Sequence, residues 1–309
     1  MKILVTGAAG YVASWLIPEL ERGGHDVYRT DLNTGGTELH RMANLLSPDE
    51  VWELFDDSRP DAVVHLAAKY GRVQGEIDPE QTVRTNAEMT TLIARACASS
   101  GARLLYVSSS EVYGDGWTGS QSALPRAWGD ALPLNLYGLT KLWGEQVAEL
   151  YAPRNLIIAR LNMPYGPGPS SGIPANVGRN ALHTFLWQAH HRHPITVHMD
   201  TLRSYTWVED VMAGIRLAIE QEQGGRYVVS RMDDMRTSQE IAQLACKIAG
   251  WDDPIINLTP KPAGITPEKY LDNSSILALG WKPTVDLEVG VQRTFDWIQH
   301  FDATGTWRA

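Results

Sequence analysis

Residues 2–13 read KILVTGAAGYVA, and the fold class follows from how this run is parsed. Lys2–Thr6 is a short apolar stretch, a buried strand by composition. Gly7 and Gly10 then interrupt it, and Ala13 stands where a third glycine often sits, early in a helix predicted over Val12–Arg22. The turn needs residues without bulk, because its backbone must approach a pyrophosphate that rests on the free N–H groups of the next helix. Alone, such a turn says little, since glycines after strands are common. Asp31 strengthens it. It lies 24 positions after Gly7 at the end of a second strand, where a carboxylate accepts from ribose hydroxyls and repels a 2′-phosphate. That favours NAD over NADP, with Gly7, Gly10, Tyr11 and Val12 around the dinucleotide. The competing reading of Asp31 is a turn or helix cap ahead of Asn33 and the Gly35–Gly36 pair.

The alternation continues beyond this unit. Strands are predicted at Asp26–Thr30, Ala62–Leu66, Leu104–Ser108 and Leu156–Arg160, and helices at Pro48–Asp57, Glu80–Ser100 and Tyr137–Tyr151. Strand–helix alternation of this kind gives an α/β class, a Rossmann-type doubly wound parallel sheet covered on both faces. Pro18 falls inside the first helix and, lacking an N–H, should kink it. From Pro164 the run PYGPGPSSGIP reads as loop, followed by helices at Arg179–His191, Val208–Glu220, Thr237–Ala249 and Leu287–His300 and a short strand at Ile195–His198. The expected division is a NAD-binding domain from 1–166 and 202–234, with a smaller substrate-binding region from 167–201 and 235–309.

Composition narrows the class. With 309 residues, 43% hydrophobic and 20% charged, the chain can bury a sizeable core. A net charge of −9 argues against a nucleic-acid or anionic-membrane partner. Cys97 and Cys246 supply neither a disulfide framework nor a thiolate metal site, and a reducing cytoplasm is the expected location. The start MKILVTGAAG lacks a secretory pattern, and no apolar run approaches the ~20 residues needed to span a bilayer.

Two further stretches carry chemistry. In YGLTK, Tyr137 and Lys141 stand four apart on one face of a helix, so the ammonium is expected to lower the phenol's pKa; an ordinary surface pair is the alternative. In SSSEVYGD, Glu111 follows a buried strand, either as a solvated loop residue or as a proton carrier.

TGAAGYVAS, HLAA at 65–68, SSSEVYGD, YGLTK and RLNMPYGPG occur in the order found in the extended short-chain dehydrogenases/reductases, the NAD-dependent sugar epimerase/dehydratase group, which the chain resembles along nearly its whole length. RSYTWVEDV at 203–211 and LGWKPTVDLEVGVQRTFDW at 279–297 resemble later segments of that group. The resemblance implies that Ser109 bonds the reacting sugar oxygen and that Tyr137 removes the hydroxyl proton, usually at C4. Lys141 would bind the nicotinamide ribose. Asn44 and Leu45 would meet adenine, and Leu66, Ala67, Ala68 and Asn86 would line the cofactor. It also implies a nucleotide-sugar substrate and a homodimer built from the 80–100 and 137–151 helices. Glu111 follows the catalytic serine by two positions, as in the group's dehydratases and decarboxylases, which makes it a candidate base at C5 with Ser110 as an assisting donor.

The chain departs from the group in three places. Met163 replaces the usual asparagine before YGP, with Asn162 one step earlier; the stretch before Arg203 is contracted; and Lys261 stands where arginine is usual. Arg203, Lys261 and Asn162 remain the candidate substrate contacts, although the diphosphate grip is altered and a smaller or modified sugar fits this pattern. His190, His191, His193 and His198 cluster, but the sequence shows no acid or cysteine completing a metal set, so the expectation is a solvated helix end and no metal. Trp187, Trp207, Trp251, Trp281 and Trp297 read as packing residues, and Trp117 or Trp128 as a cover for a sugar face. Two rival functions are a net NAD-dependent dehydrogenase/reductase of a non-nucleotide sugar or alcohol, and a non-catalytic NAD-sensing binding protein.

Overall fold

Ile3, Leu4 and Val5 have no exposed surface, so the opening strand lies in the middle of the protein, flanked on both sides. The computed structural model describes residues 1–34, 36–114, 131–152, 154–168 and 180–305. Its principal sheet begins with β1 (Lys2–Thr6), β2 (Asp26–Asp31), β3 (Arg41–Met42), β4 (Ala62–His65), β5 (Arg103–Ser109) and β6 (Ile157–Leu161). Short pairs follow: β7 (Pro164–Tyr165), β8 (Ile195–His198), β9 (Leu202–Ser204) and β10 (Thr206–Trp207). Then come β11 (Gly225–Val229), β12 (Met235–Thr237) and β13 (Ile256–Thr259). The order β11-β6-β5-β4-β1-β2-β3 is parallel throughout, so every strand of the sheet ends on the same side.

Apolar helix faces cover both sides of this sheet. Helices α1 (Tyr11–Arg22), α2 (Pro48–Ser58), α3 (Arg72–Ile77), α4 (Pro79–Val83), α5 (Met89–Ser100) and α6 (Leu136–Tyr151) come from the first half. The second half adds α7 (Ala181–His190), α8 (Val208–Ile219), α9 (Ser238–Ile248), α10 (Ser274–Ala278) and α11 (Leu287–Thr304). One core joins α1 and α8 to β1, β5, β6 and Trp281; the opposite one joins α2, α5 and α6 to Leu4, Val63 and Leu104. A third core, built from α7, α9, α11 and β8 around Tyr165 and Trp207, lies outside the sheet.

The principal sequence elements are present, with boundaries shifted by one or two residues where they are single, except that the last helix runs four residues further, to Thr304. The predicted Glu80–Ser100 helix is divided into α4, a π-helical turn over Arg84–Glu88 and α5. Such a turn re-aims one side chain without ending the helix, and here it carries Asn86. Helix α1 runs on through Pro18, which sits on its exposed side. Strands β3 and β11 were not legible: the first is two residues long, and the second, GRYVV, is preceded by a glycine and has no long alternation.

A buried ion pair fastens α6 to the sheet. Arg160 of β6 donates to both carboxylate oxygens of Glu145, at 2.9 and 2.6 Å, while its guanidinium lies 4.6 Å from the Tyr113 ring centre. Glu145 is 0% exposed and Arg160 4%. Removing one partner strands a charge in apolar surroundings, whereas removing both does not. Glu145→Ala should therefore lower stability by about 3–5 kcal/mol in urea unfolding. The Glu145→Leu/Arg160→Met double variant should recover most of that loss.

Candidate active site

The sheet's carboxyl edge gathers the functional side chains. After β1, Gly7 takes φ +72°, and a Cβ there would lie 2.7 Å from the Ala67 backbone nitrogen. The glycine is thus required both by the turn and by the close passage of the 66–68 segment. Asp31, at the end of β2, accepts from the Ala9 N–H at 3.0 Å and the Leu32 N–H at 2.6 Å. A cavity of about 310 Å³ lies against these strand ends, lined in part by Gly7, Gly10, Asp31, Asn44, Leu45, Leu66, Ala67 and Ala68. Its walls fit a dinucleotide: a glycine turn at a helix N-terminus for the pyrophosphate, a carboxylate for the ribose diol and apolar groups for the adenine.

Five sequence candidates for the cofactor site are not among these lining residues: Tyr137 and Lys141, on α6, and Tyr11, Val12 and Asn86. Tyr11 donates to the Gly166 carbonyl at 3.1 Å, and Val12 packs into the α1 core. Asn86, 1% exposed, clamps the loop after β4 by accepting from Lys69 N–H at 2.8 Å and donating to Lys69 C=O at 2.9 Å. Its amide also donates to Thr140 on α6 at 3.0 Å, tying the cofactor loop to the helix of Tyr137. Below them His65 bridges Thr6 and Thr90, and burial, then the Lys141 charge, lower its pKa to about 3.

Helix α6 starts at Asn135, whose side chain accepts from the Gly138 N–H at 2.9 Å as an N-cap. A Cβ on Gly138 would come within 2.5 Å of the Glu111 carbonyl oxygen, so the helix start lies directly on the turn after β5. This approach brings Tyr137 to Ser109, with which it is hydrogen-bonded. The sequence expectation for the phenol is not met: burial drives its pKa upward, the Ser109 hydrogen bond opposes this, and Glu111 and Tyr70 add to the rise. Lys141 is 4% exposed, donates to the Val107 carbonyl at 2.8 Å and sits 4.9 Å from the Tyr106 ring centre. Burial lowers its pKa to about 8 against the opposing pull of Glu145.

Glu111 is not a solvated loop residue. Its side chain is 25% exposed; one carboxylate oxygen is paired with Lys269 and the other accepts from Asn135 at 2.8 Å. Burial is the largest influence and acts upward, but Lys269, Asn135 and Arg203 together hold the pKa below the usual range. Lys269, 4% exposed, also reaches the Ser110 hydroxyl at 3.4 Å, and burial lowers its own pKa. No sequence pattern marked Lys269, which lies 158 positions from Glu111 in an irregular segment, or Asn135, which reads only as a helix cap.

The proposed substrate contacts are differently occupied. Asn162 has no exposed surface; it accepts from Ser110 at 2.9 Å and donates to the Ser204 carbonyl and Ser230 hydroxyl, both at 3.2 Å. Met163 takes φ +42°, a left-handed conformation that asparagine tolerates better than methionine. Arg203 donates to the carbonyls of Leu202, Thr266 and Pro267, and Lys261 to that of Ile265 at 2.7 Å. Arg203 thereby anchors the segment that carries Lys269. Trp117, Trp128 and Arg179 lie outside the described residues. Where α7 and α11 end, Asp302 joins His190 and His191, an acid that the local sequence did not offer.

These strand ends define a nicotinamide-dinucleotide enzyme class, the extended short-chain dehydrogenases/reductases. Comparison gives the particular family: residues 3–230 match the NAD dependent epimerase/dehydratase family, and the chain belongs to it, with NAD as cofactor. It is 29% identical over 311 residues to UDP-glucuronic acid decarboxylase 1 of Arabidopsis thaliana, covering 95% of this chain and 68% of that one. Among solved structures, UDP-glucuronic acid 4-epimerase from Bacillus cereus, in complex with UDP-glucuronic acid and NAD, is 26% identical. Its TM-score is 0.80 over 97% of this chain and 100% of that one. The UDP-glucose 4-epimerase of Thermotoga maritima with UDP-glucose shares the fold at a TM-score of 0.85 and 22% identity, over 97% and 99% of the two chains. Among the described residues, no helix is long and apolar enough to cross a membrane.

Lys141 gives a test on stability. A group whose folded pKa falls from 10.5 to about 8 carries a full penalty below pH 8, and the penalty fades as pH rises toward 10.5. Lys141→Met should therefore melt higher than the wild type at pH 7, with the gap shrinking between pH 8 and 10, while turnover is lost. Differential scanning calorimetry across that range reads the effect.

Proposed function

We propose that the protein transforms a nucleotide sugar by transient oxidation, usually at C4, as an epimerase or dehydratase whose cofactor is restored in each cycle. The observation carrying this reading is the meeting of Ser109, Tyr137 and the Glu111–Lys269 pair at the end of β5, on the same carboxyl edge of the sheet as the cavity lined by Gly7 and Asp31. The relatives named as acting on or holding UDP-sugars support the substrate class. NAD, when bound, supplies the hydride acceptor and later donor.

The chain's own groups handle protons and position. Ser109 holds the sugar hydroxyl, and Tyr137 takes its proton. Lys141 orients toward the cofactor ribose. A ketone at C4 acidifies the neighbouring C5–H, and Glu111 is the base that removes that proton. Its lowered pKa makes it a weak base while paired, so substrate must part Lys269 from it before it acts. Ser110 and Lys269 then stand as proton donors on the same side. Arg203 contributes through the segment it anchors, which brings Lys261 and Lys269 toward the substrate.

A division into a NAD-binding domain and a smaller substrate-binding region belongs to the same proposal, supported by the separate core around Tyr165 and Trp207. So does a homodimer. On α6, Leu139, Trp143 and Leu150 are 51%, 48% and 72% exposed and recur at spacings of four and seven, an apolar stripe that none of the described residues covers. Light scattering should give twice the 34.2 kDa chain mass. Trp143→Glu should halve the measured mass, and a monomeric wild type would end the dimer proposal.

The catalytic reading is tested by isotope exchange. Tyr137→Phe should keep NAD but lose about 10²–10⁴ in kcat, the usual contribution of a positioned acid–base group. Glu111→Gln should still oxidise C4 yet fail to incorporate solvent deuterium at C5. Normal turnover by the phenylalanine variant would refute the mechanism, and stoichiometric NADH accumulation would instead indicate a net dehydrogenase.

A further inference from the structure

Away from the sheet, α7 and α11 end beside each other in the core of Tyr165 and Trp207. His190 closes α7, His191 is its C-cap and Asp302 lies in the last turn of α11. The Nε2 atoms of both histidines face one carboxylate oxygen of Asp302, at 3.3 and 3.1 Å. The three ligand atoms lie within 4.8 Å of one another, and it is the one such set of three among the described residues. The side chains are about one third exposed or less, at 28%, 33% and 28%.

Three features favour a cation among them. First, the spacing is long for a charge-assisted hydrogen bond, which runs about 2.7–2.9 Å. Tetrahedral metal arms of about 2.0–2.2 Å put neighbouring ligand atoms about 3.3–3.6 Å apart, which the two observed spacings approach. The remaining His–His edge is within 4.8 Å and closes by rotation of the His190 ring, with His191 held by its Nδ1 contact. Second, His191 Nδ1 lies 2.9 Å from the Trp187 carbonyl, which can only accept. A ring proton therefore sits on Nδ1, which leaves Nε2, the atom facing the carboxylate, as the ligating position. This is how an outer carbonyl orients a metal-binding imidazole. Third, Asp302 stands at the negative end of its own helix dipole, next to the negative end of α7. Both helix ends and the carboxylate are relieved by positive charge placed between them.

We propose that His190, His191 and Asp302 form a binding site for a zinc-like divalent transition ion, with solvent completing its coordination. Two imidazoles and one carboxylate suit ions of borderline softness rather than calcium or magnesium, which prefer all-oxygen sets. The site bridges the last turns of α7 and α11, so its effect is to hold the carboxyl-terminal helix in place, independently of the nucleotide-sugar reading.

The test uses full-length protein without a histidine tag. Isothermal titration with zinc chloride at pH 7.5 should show one equivalent bound, and the melting temperature should rise with zinc. Cobalt(II) should give the visible absorption of a low-coordinate site. Asp302→Asn, a change at a partly exposed position, and His191→Gln should each weaken zinc binding by about tenfold or more. His193→Gln, at a neighbouring histidine outside the set, should leave it unchanged. Binding should also fall at pH 5.5, where protons compete for the imidazoles. Undiminished zinc affinity in Asp302→Asn, or no binding by the wild type at about 100 µM zinc with no shift in melting temperature, would overturn the site and leave an imidazolium–carboxylate contact in its place.

Discussion

The buried pair between Glu145 and Arg160 is the constraint on which the site depends. Helix α6 presents Tyr137 and Lys141 to the end of β5 only if its rotation and its height above the sheet are both set. Apolar packing sets height loosely, because side chains of similar size can slide past one another. A two-point contact between a guanidinium and a carboxylate, both buried, allows one arrangement. At the start of the helix, the Asn135 cap and the absence of a side chain at Gly138 let it rest on the Glu111 backbone. The helix is thereby held at its start and at its middle, and the phenol between them meets Ser109.

The second theme is charge held where burial opposes it. Lys141, Lys269, Arg203 and Arg160 are all nearly covered, and each is compensated differently. Arg160 has a full carboxylate partner. Arg203 spends its donors on backbone carbonyls, and Lys141 has one carbonyl and an aromatic face. Lys269 shares Glu111 with Asn135. The less complete the compensation, the more readily the group gives up or takes a proton, which is the property an active site needs and a structural ion pair does not. The same gradient separates Glu145, with no exposed surface, from Glu111, whose side chain is 25% exposed.

Much of the fold could be read from local patterns. Lys2–Thr6 and the glycine turn after it, Asp31 at the end of β2, and the Tyr137–Lys141 spacing each express a constraint acting over a few residues, and all appear where that constraint puts them. Strand β11 escaped because an edge strand is defined by its neighbour: GRYVV becomes a strand through its pairing with Ile157–Leu161. The π-helical turn at Asn86 escaped because an inserted residue changes no apolar period strongly. The direction of the Tyr137 shift was misjudged for a related reason. Sequence spacing reports which charge shares a helix face, while burial, the larger influence, depends on what covers that face.

By itself, the sequence determined the parallel α/β class and marked the glycine turn after β1 and the Tyr137–Lys141 pair on one helix face. These rest on short-range geometry: strand period, helix period and the backbone freedom of glycine. Only the tertiary structure decided what Glu111 is. Its partner Lys269 comes from an irregular segment fixed by Arg203, and contacts between residues so far apart in the chain leave no periodic trace. The meeting of Asp302 with His190 and His191 has the same origin, two helix ends brought together by a shared apolar core.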